Sequence, residues 1–203
     1  MQPSNSPNPP IDAAPPIDAR GPVLLALARA AIAEAFGRPN RVDASASWLG
    51  EAGATFVTLT LDGELCGCIG SLVPRRSLRD DVAANARAAA FDDPRFPPLT
   101  RDEFERVRVE VSLLAPLEPL PVASEADALR KIRPHVDGLV LEWGRHRGTF
   151  LPQVWDDLPD PRAFLAHLRL KAGLPSDFWA DDLRLSRYHV EKWSEPEPGP
   201  MTS

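Results

Sequence analysis

The apolar positions of this chain recur with two different spacings, and the longer spacing predicts helices. Between Pro22 and Gly37, apolar residues fall every three or four positions, as on a helix with one buried face. Pro22 suits the first helical position and Gly37 the position after the last turn, so we expect the helix to lie between them. Capping residues predict further helices that begin at Ser77, Thr100, Ser124 and Asp160.

The shorter spacing, a strict alternation of apolar and polar residues, predicts strands. It is clearest at residues 107–114, where Val and Leu alternate with Arg, Glu and Ser to give one apolar face. Further strands are predicted at residues 55–61, 65–70, 138–143, 148–151 and 182–193, with residues 144–147 as the loop between 143 and 148. The apolar phase of the last strand shifts, which indicates a bulge near Ser186.

A hairpin is predicted around the dipeptide Asp62-Gly63, which is typical of a type I′ turn. A two-residue loop at this point places Leu59 opposite Cys66 and Val57 opposite Cys68. Both faces of the hairpin carry apolar side chains, so we expect both to be covered.

The order of these elements, α-ββ-α-α-β-α-β-β-α-β, determines the fold class. Helices and strands do not alternate strictly, which favours an α+β fold with a mixed or antiparallel sheet over a doubly wound parallel one. Residues 21–193 fit one domain. Residues 1–20 contain six prolines and few large apolar side chains, and residues 194–203 are also rich in Pro and Glu, so we expect both ends to be disordered tails.

Composition narrows the classes of function. With 203 residues, 43% hydrophobic, the chain can bury a real core. A net charge of -6 argues against a nucleic-acid binder, which needs a basic face. No stretch approaches the ~18 apolar residues of a membrane span. The start lacks the pattern of a secretory signal and there are two cysteines, so we expect a cytoplasmic protein with free thiols.

Five short segments follow one another in a fixed order. They are LCGCIG at 65–70, DPRFPPL at 93–99, VEVSLL at 109–114, GTFLPQV at 148–154 and LKAGLP at 170–175. Together they resemble the AmmeMemoRadiSam system protein A family, whose eukaryotic member is the AMME chromosomal region gene one protein. The resemblance implies two intertwined subdomains with a cleft between them. It also implies a functional link to Memo-type and radical-SAM proteins.

One residue departs from that family's pattern. The hallmark hexapeptide is Leu-Arg-Gly-Cys-Ile-Gly, and here Cys66 stands in place of the arginine. If the arginine binds an anionic substrate in relatives, this chain has lost or moved that contact. The resemblance does not establish a biochemical activity, so an enzyme and an accessory protein both stay open.

Cys68, which matches the family cysteine, is the first candidate catalytic residue. A thiol acts as a nucleophile when a neighbouring group favours the thiolate. Gly67 and Gly70 would let a small-molecule substrate approach the backbone closely, and they are candidate binding residues. The alternative is that Cys68 packs as a small apolar residue opposite Val57.

Glu110 is the second candidate catalytic residue, because a carboxylate inside a strand can serve as a general base beside a thiol. The alternative is a solvated face or an ion pair with Arg106 or Arg108.

Arg95 and Gln153 are candidate substrate-binding residues in loops. Arg95, in a segment stiffened by prolines, can hold a carboxylate or phosphate with two parallel hydrogen bonds, or it can tie the loop to Asp92 or Asp93. Gln153 can donate to a ligand or satisfy backbone groups of its own loop.

No metal or cofactor is predicted. The cysteines and the four histidines lack the spacing of zinc ligands, and neither a phosphate loop nor a dinucleotide motif is present. Arg75 and Arg76 precede a helix start in a way that resembles an anion site, but Asp80 and Asp81 favour a solvated loop there. Two hypotheses therefore remain: a thiol-dependent enzyme acting in a cleft lined by Cys66–Gly70, and a non-catalytic accessory or interaction module.

Overall fold

The structure, a computed structural model, describes residues 17–38 and 42–196. The helices are α1 Ile17–Ala35, α2 Leu78–Phe91, α3 Arg101–Phe104, α4 Glu125–Lys131, α5 Val154–Asp157 and α6 Pro161–Lys171, with a 3-10 turn at Ser47–Gly50. The strands are β1 Ala52–Gly53, β2 Thr55–Leu61, β3 Glu64–Gly70, β4 Arg76–Ser77, β5 Arg108–Leu114, β6 Glu118–Leu120, β7 Gly138–Trp143, β8 His146–Phe150, β9 Arg184–Tyr188 and β10 Val190–Ser194. Helices are combined with antiparallel strand pairs, so the α+β class is confirmed.

Local capping signals correctly predicted where four helices begin. Ser77, Thr100, Ser124 and Asp160 each accept hydrogen bonds at the first turn of α2, α3, α4 and α6, and Thr100 completes a capping box with Glu103. These side chains satisfy backbone N–H groups that have no partner within the helix. No helix in the described part of the chain is both long and apolar enough to cross a membrane.

The chain divides into two compact units. Unit 1 runs to Ser112 and resumes at Lys192, and unit 2 comprises Leu113–Glu191. Unit 1 contains a four-stranded sheet in the order β10-β5-β2-β3, a small β1-β4 sheet, and helices α1 and α2. Its fully buried apolar side chains are contributed by both helices and by the sheet: Leu24, Ala28, Ile32, Val57, Leu59, Val82, Ala86, Val109 and Val111.

The β2–β3 hairpin forms, but its register differs from the predicted one. Asp62 and Gly63 both adopt positive φ angles, 52° and 88°, as a type I′ turn requires. A bulge then leaves Cys66 without a partner, so that Leu59 pairs with Gly67 instead of Cys66. Because of the bulge, Gly67 rather than Cys66 faces α2. The backbone of α2 lies too close to the strand at this point for any side chain.

The two ends of the folded part extend beyond the expected limits of 21–193. Helix α1 begins at Ile17 and includes Pro22, which removes one hydrogen bond near the N-terminus of the helix without ending it. At the other end, Glu195 accepts hydrogen bonds from Arg29 and donates its backbone N–H to Val109 O at 2.9 Å. The rest of the expected tails, residues 1–16 and 197–203, lies outside the described residues.

Unit 2 contains a four-stranded antiparallel sheet in the order β6-β9-β7-β8. Large side chains fill its core: Trp155 stacks on Phe164 with ring centroids 3.7 Å apart, and its indole N–H donates to Asp137 O at 2.8 Å. Leu139, Leu141, Leu165 and Leu168 are fully buried around this pair.

Two predictions in the second half of the chain are wrong. The loop between β7 and β8 consists of Gly144 and Arg145 alone, because the positive φ of Gly144 permits a two-residue turn. The last strand is not bulged at Ser186, which pairs regularly with Val140. Instead the chain breaks at His189, and β9 and β10 join different sheets.

Candidate functional site

Cys68 lies on β3, an edge strand of the unit 1 sheet. It pairs with Thr58, so the two side chains share one face of the sheet, while Val57 and Leu59 point to the other face and are fully buried. The Thr58 hydroxyl donates to Cys68 Sγ at 3.4 Å. Cys68 is thus partly buried and lies opposite Thr58, whereas Val57 pairs with Ile69.

The loop after α2 is clamped onto the outer edge of β3 at Cys68. The Asp93 carboxylate accepts the Cys68 N–H at 2.9 Å, and Arg95 Nη2 donates to the Cys68 carbonyl oxygen at 3.0 Å. Arg95 also binds Asp93 through two hydrogen bonds, Nε to Oδ1 at 3.0 Å and Nη2 to Oδ2 at 2.7 Å. Both backbone groups of Cys68 are therefore held by an ion pair, and Arg95 makes the tie to Asp93 that was one of the two alternatives for it.

The Asp93–Arg95 ion pair shifts the pKa values of both side chains. The hydrogen bonds from Arg95 hold the pKa of the Asp93 carboxyl well below its usual range, although burial of Asp93 opposes this effect. The pKa of the Arg95 guanidinium is raised, chiefly by the hydrogen bond to Asp93 and to a smaller extent by Cys68. The guanidinium is about half exposed and lies over the Phe96 ring, 5.2 Å from its centroid. A half-exposed cation therefore lies at Cys68, in contact with its carbonyl oxygen.

Cys66 has the opposite electrostatic environment. Burial raises the pKa of the Cys66 thiol, and the negative charge of Glu103 adds to the increase. Two cysteines that are two residues apart thus lie beside charges of opposite sign, Arg95 for Cys68 and Glu103 for Cys66.

The structure does not bring Glu110 to Cys68. β2 lies between their strands, which separates β5 from β3 by two strand spacings, about 10 Å. The Glu110 carboxylate instead accepts from the Ser194 hydroxyl at 2.8 Å and pairs with Lys192 at 3.2 Å. Glu110 therefore links β5 to β10.

The candidate glycines have packing partners. A Cβ atom at Gly67 would lie 2.1 Å from the carbonyl oxygen of Ala89, so only glycine allows α2 to pack this closely on β3. At Gly70 a Cβ atom would meet the Phe56 ring at 2.2 Å. These contacts explain both residues without a substrate.

Gln153 belongs to unit 2, where it is exposed and precedes the short helix α5. Its side chain makes no capping hydrogen bond, and its carbonyl oxygen accepts from the Asp156 N–H at 3.0 Å. Within residues 17–38 and 42–196, no group of three or more His, Cys, Asp or Glu side chains is placed to hold a metal ion.

Comparison with known proteins identifies the family to which these residues belong. The AMMECR1 family model matches residues 25–193. The chain belongs to the AMMECR1 family. It is 43% identical to a protein from Aeropyrum pernix over 95% of this chain and 87% of that protein, and 43% identical to Protein MJ0810 from Methanocaldococcus jannaschii over 68% of this chain and 69% of that protein. The crystal structure of uncharacterized protein PH0010 from Pyrococcus horikoshii has the same fold, with a TM-score of 0.70 and 36% identity over 88% of this chain and 92% of that one.

Sequence reasoning missed the polar network that fixes the hairpin of this AMMECR1 domain. The buried Asp81 carboxylate accepts hydrogen bonds from the Thr55 N–H and hydroxyl, both at 2.8 Å, and from Asn85 Nδ2 at 2.9 Å. Asn85 also donates to the Thr55 carbonyl oxygen at 2.9 Å. The signal in the sequence was the spacing of Asp81 and Asn85, which places two polar side chains on the buried face of α2.

Proposed function

We propose that this AMMECR1-family protein binds a small molecule and reacts with it through the Cys68 thiol. The observation that supports the proposal is the Arg95 guanidinium at Cys68, together with the Thr58 hydroxyl that donates to Cys68 Sγ. A nearby cation and a hydrogen-bond donor both favour a thiolate over a thiol. The thiolate is the form of cysteine that attacks electrophiles.

The proposed step is the addition of Cys68 to an electrophilic carbon. The thiol releases its proton to solvent, and the sulfur lone pair then forms a new S–C bond while the π bond of that carbon breaks. The electron pair of the π bond moves to the neighbouring atom, which takes up a proton from solvent. Arg95 offsets the negative charge on sulfur before the bond forms, and Asp93 holds Arg95 in position through two hydrogen bonds. Glu110 has no part in this step, because Lys192 and Ser194 occupy its carboxylate.

Cys66 provides an internal control for this proposal. Its thiol lies beside Glu103, and its pKa is raised, so it favours the protonated and unreactive form. The test is labelling of the native protein with iodoacetamide, followed by mass spectrometry of the peptide that contains both cysteines. We expect Cys68 to be labelled about 10-fold faster than Cys66.

A matched pair of arginine variants isolates the effect of the cation. Arg95→Gln should slow labelling of Cys68 several-fold, whereas Arg79→Gln, which removes the same charge from an exposed position on α2, should leave the rate unchanged. Melting temperatures of both variants verify that the fold is intact at the labelling temperature. Labelling of Cys68 only after unfolding would contradict the proposal.

The second candidate function is a non-catalytic accessory module. It is favoured by the same clamp, since an ion pair that holds both backbone groups of Cys68 also rigidifies an edge strand. In that case native Cys68 resists labelling and Cys68→Ser lowers the melting temperature. Both proposals include a functional link to Memo-type and radical-SAM proteins, and both place the protein in the cytoplasm. The free state of both cysteines is in keeping with such a reducing compartment.

A further inference from the structure

A cavity lies beside the segment that follows β3. It has a volume of about 470 Å³ and is lined by Ser71, Leu72, Val73, Arg75 and Arg76. This volume is within the range of about 300–1,000 Å³ that is typical of small-molecule sites. The proposed thiol chemistry makes no use of it.

The two arginines that line the cavity differ in whether the protein supplies a partner for the positive charge. Arg76 Nη2 pairs with the buried Asp81 carboxylate at 3.1 Å and also donates to the Ser71 hydroxyl at 3.4 Å. Arg75 is exposed and has no hydrogen-bond or ion-pair partner among residues 17–38 and 42–196. One arginine is therefore fixed by the protein, and its neighbour holds an uncompensated positive charge at the cavity.

The acidic residues nearby do not neutralise that charge. Asp80 accepts the Ser77 hydroxyl at 2.6 Å at the start of α2. Asp81 is only 1% exposed, and its carboxylate is held by Thr55, Ser71, Arg76 and Asn85. Neither acidic side chain lines the cavity, so the solvated loop expected from the sequence presents a cationic concave surface.

The remaining wall is apolar. Leu72 is 41% exposed, and Val73 continues the same surface. A cation next to exposed apolar side chains is complementary to a small molecule with an anionic head and a short apolar tail.

We infer that residues 71–76 form a binding site for a small organic oxyanion. The head group, a carboxylate or a phosphate, pairs with Arg75 and with the exposed edge of the Arg76 guanidinium, and the apolar part contacts Leu72 and Val73. The net charge of -6 disfavours general attraction of anions, so binding at this place is local. The inference is independent of the reactivity of Cys68.

The test is a titration of the full ¹⁵N-labelled chain with inorganic phosphate, and separately with acetate and hexanoate, at constant ionic strength. Amide chemical shifts of residues 71–76 are followed by NMR. We expect saturable shifts confined to this segment and its neighbours, with hexanoate binding more tightly than acetate because of Leu72 and Val73. Saturation by phosphate alone or by the carboxylates alone supports the site and identifies its head group.

Two variants decide whether Arg75 holds the anion. Arg75→Ala should weaken binding at least about 10-fold, the effect of losing one charge-assisted hydrogen-bonded contact. Arg79→Ala removes an exposed arginine outside the cavity lining and should bind like the unmodified chain. Both positions are exposed, so equal melting temperatures are expected. Linear shifts without saturation for every anion, or equal weakening by both variants, would overturn the inference.

Discussion

The two units of this protein hold their sheets by different means. Unit 2 stacks Trp155 on Phe164 within a core of large apolar side chains. Unit 1 has smaller core residues on α2 and ties that helix to its hairpin through Thr55, Asp81 and Asn85. Apolar packing tolerates small shifts, whereas a buried network of hydrogen bonds permits only one geometry. The unit with the directional bonds is also the unit that carries Cys68 and the anion cavity.

This difference suggests that the packing of unit 2 contributes mainly to stability, whereas the hydrogen bonds of unit 1 fix the positions of particular residues. The buried network fixes Thr55 at the start of β2, and the Asp93–Arg95 clamp fixes Cys68 on the paired strand. Both devices act on the same hairpin. The following substitutions test the contrast, beginning with the largest expected effect.

Trp155→Ala should cause the largest loss of stability. Trp155 is fully buried, stacks on Phe164 and donates to Asp137 O, so its removal leaves a cavity and an unpaired carbonyl group. We expect unfolding free energy to fall by about 3–5 kcal/mol in urea denaturation. Leu170→Ala, at an exposed apolar position on α6, is the control and should change it by less than about 0.5 kcal/mol. Similar losses from both variants would contradict the packed core of unit 2.

Asp81→Asn should cost less but act more locally. The amide cannot accept all the hydrogen bonds that the carboxylate accepts from Thr55, Ser71, Asn85 and Arg76. We expect a loss of about 2 kcal/mol, since Arg76 is half exposed. Hydrogen exchange should accelerate at Thr55.

Asp80→Asn is the matched control for this substitution. Asp80 lies next to Asp81 on α2, but it is exposed and hydrogen-bonds to Ser77. Its replacement should leave exchange at Thr55 unchanged. If Asp81→Asn left that exchange rate unchanged as well, the network would not be what fixes the hairpin.

The C-terminal end of unit 1 gives a smaller effect. A chain that ends at Trp193 loses Glu195, which binds Arg29 and accepts the Val109 N–H at 2.9 Å. Compared with a chain that ends at Pro196, we expect it to lose about 1.5 kcal/mol, or about 4 °C in melting temperature by calorimetry. Equal melting temperatures would mean that this edge of the sheet needs no such tie.

The smallest effect is expected from Asp93→Asn and depends on pH. The pKa of Asp93 is lowered in the folded state, mainly by Arg95, relative to about 4 in an unfolded chain. Its stabilisation is therefore complete above pH 4 and disappears as pH falls through the folded pKa. We expect the variant to melt about 2 °C below the unmodified protein at pH 7, with the gap narrowing below pH 4.

Asp92→Asn is the control for the pH profile, because Asp92 is exposed and adjacent to Asp93. It should melt like the unmodified protein at both pH values. A gap that widened for Asp93→Asn as pH fell would contradict a lowered pKa of Asp93 in the folded protein. If Cys68 is also labelled more slowly in the Asp93→Asn variant at pH 7, the Asp93–Arg95 ion pair affects both stability and the reactivity of Cys68.

The parts of the fold that could be predicted depend on neighbours in sequence. Capping by Ser77, Thr100, Ser124 and Asp160 involves residues two or three positions away, so the sequence contains the whole interaction. The Asp62-Gly63 turn is local in the same sense.

What could not be predicted depends on contacts between distant residues. The bulge at Cys66 reflects the close approach of Ala89 on α2 to Gly67 on β3. The alternation of residues along a strand gives no information about such a contact with a helix. Arg95 was a correct candidate for the tie to Asp93, but its position at Cys68 follows from the fold. Glu110 was predicted as a base because a carboxylate within a strand is unusual, and its partners Lys192 and Ser194 lie more than 80 residues away.

The discontinuity of unit 1 has a consequence for synthesis. Unit 2 is inserted between the two sequence segments of unit 1, and the Arg29–Glu195 contact within unit 1 spans 166 residues. A nascent chain therefore exposes the open edge of β5 until residues 190–194, which form β10, have left the ribosome. Such an edge can pair with another chain, so the pairing of β10 with β5 protects the sheet from aggregation only late in synthesis.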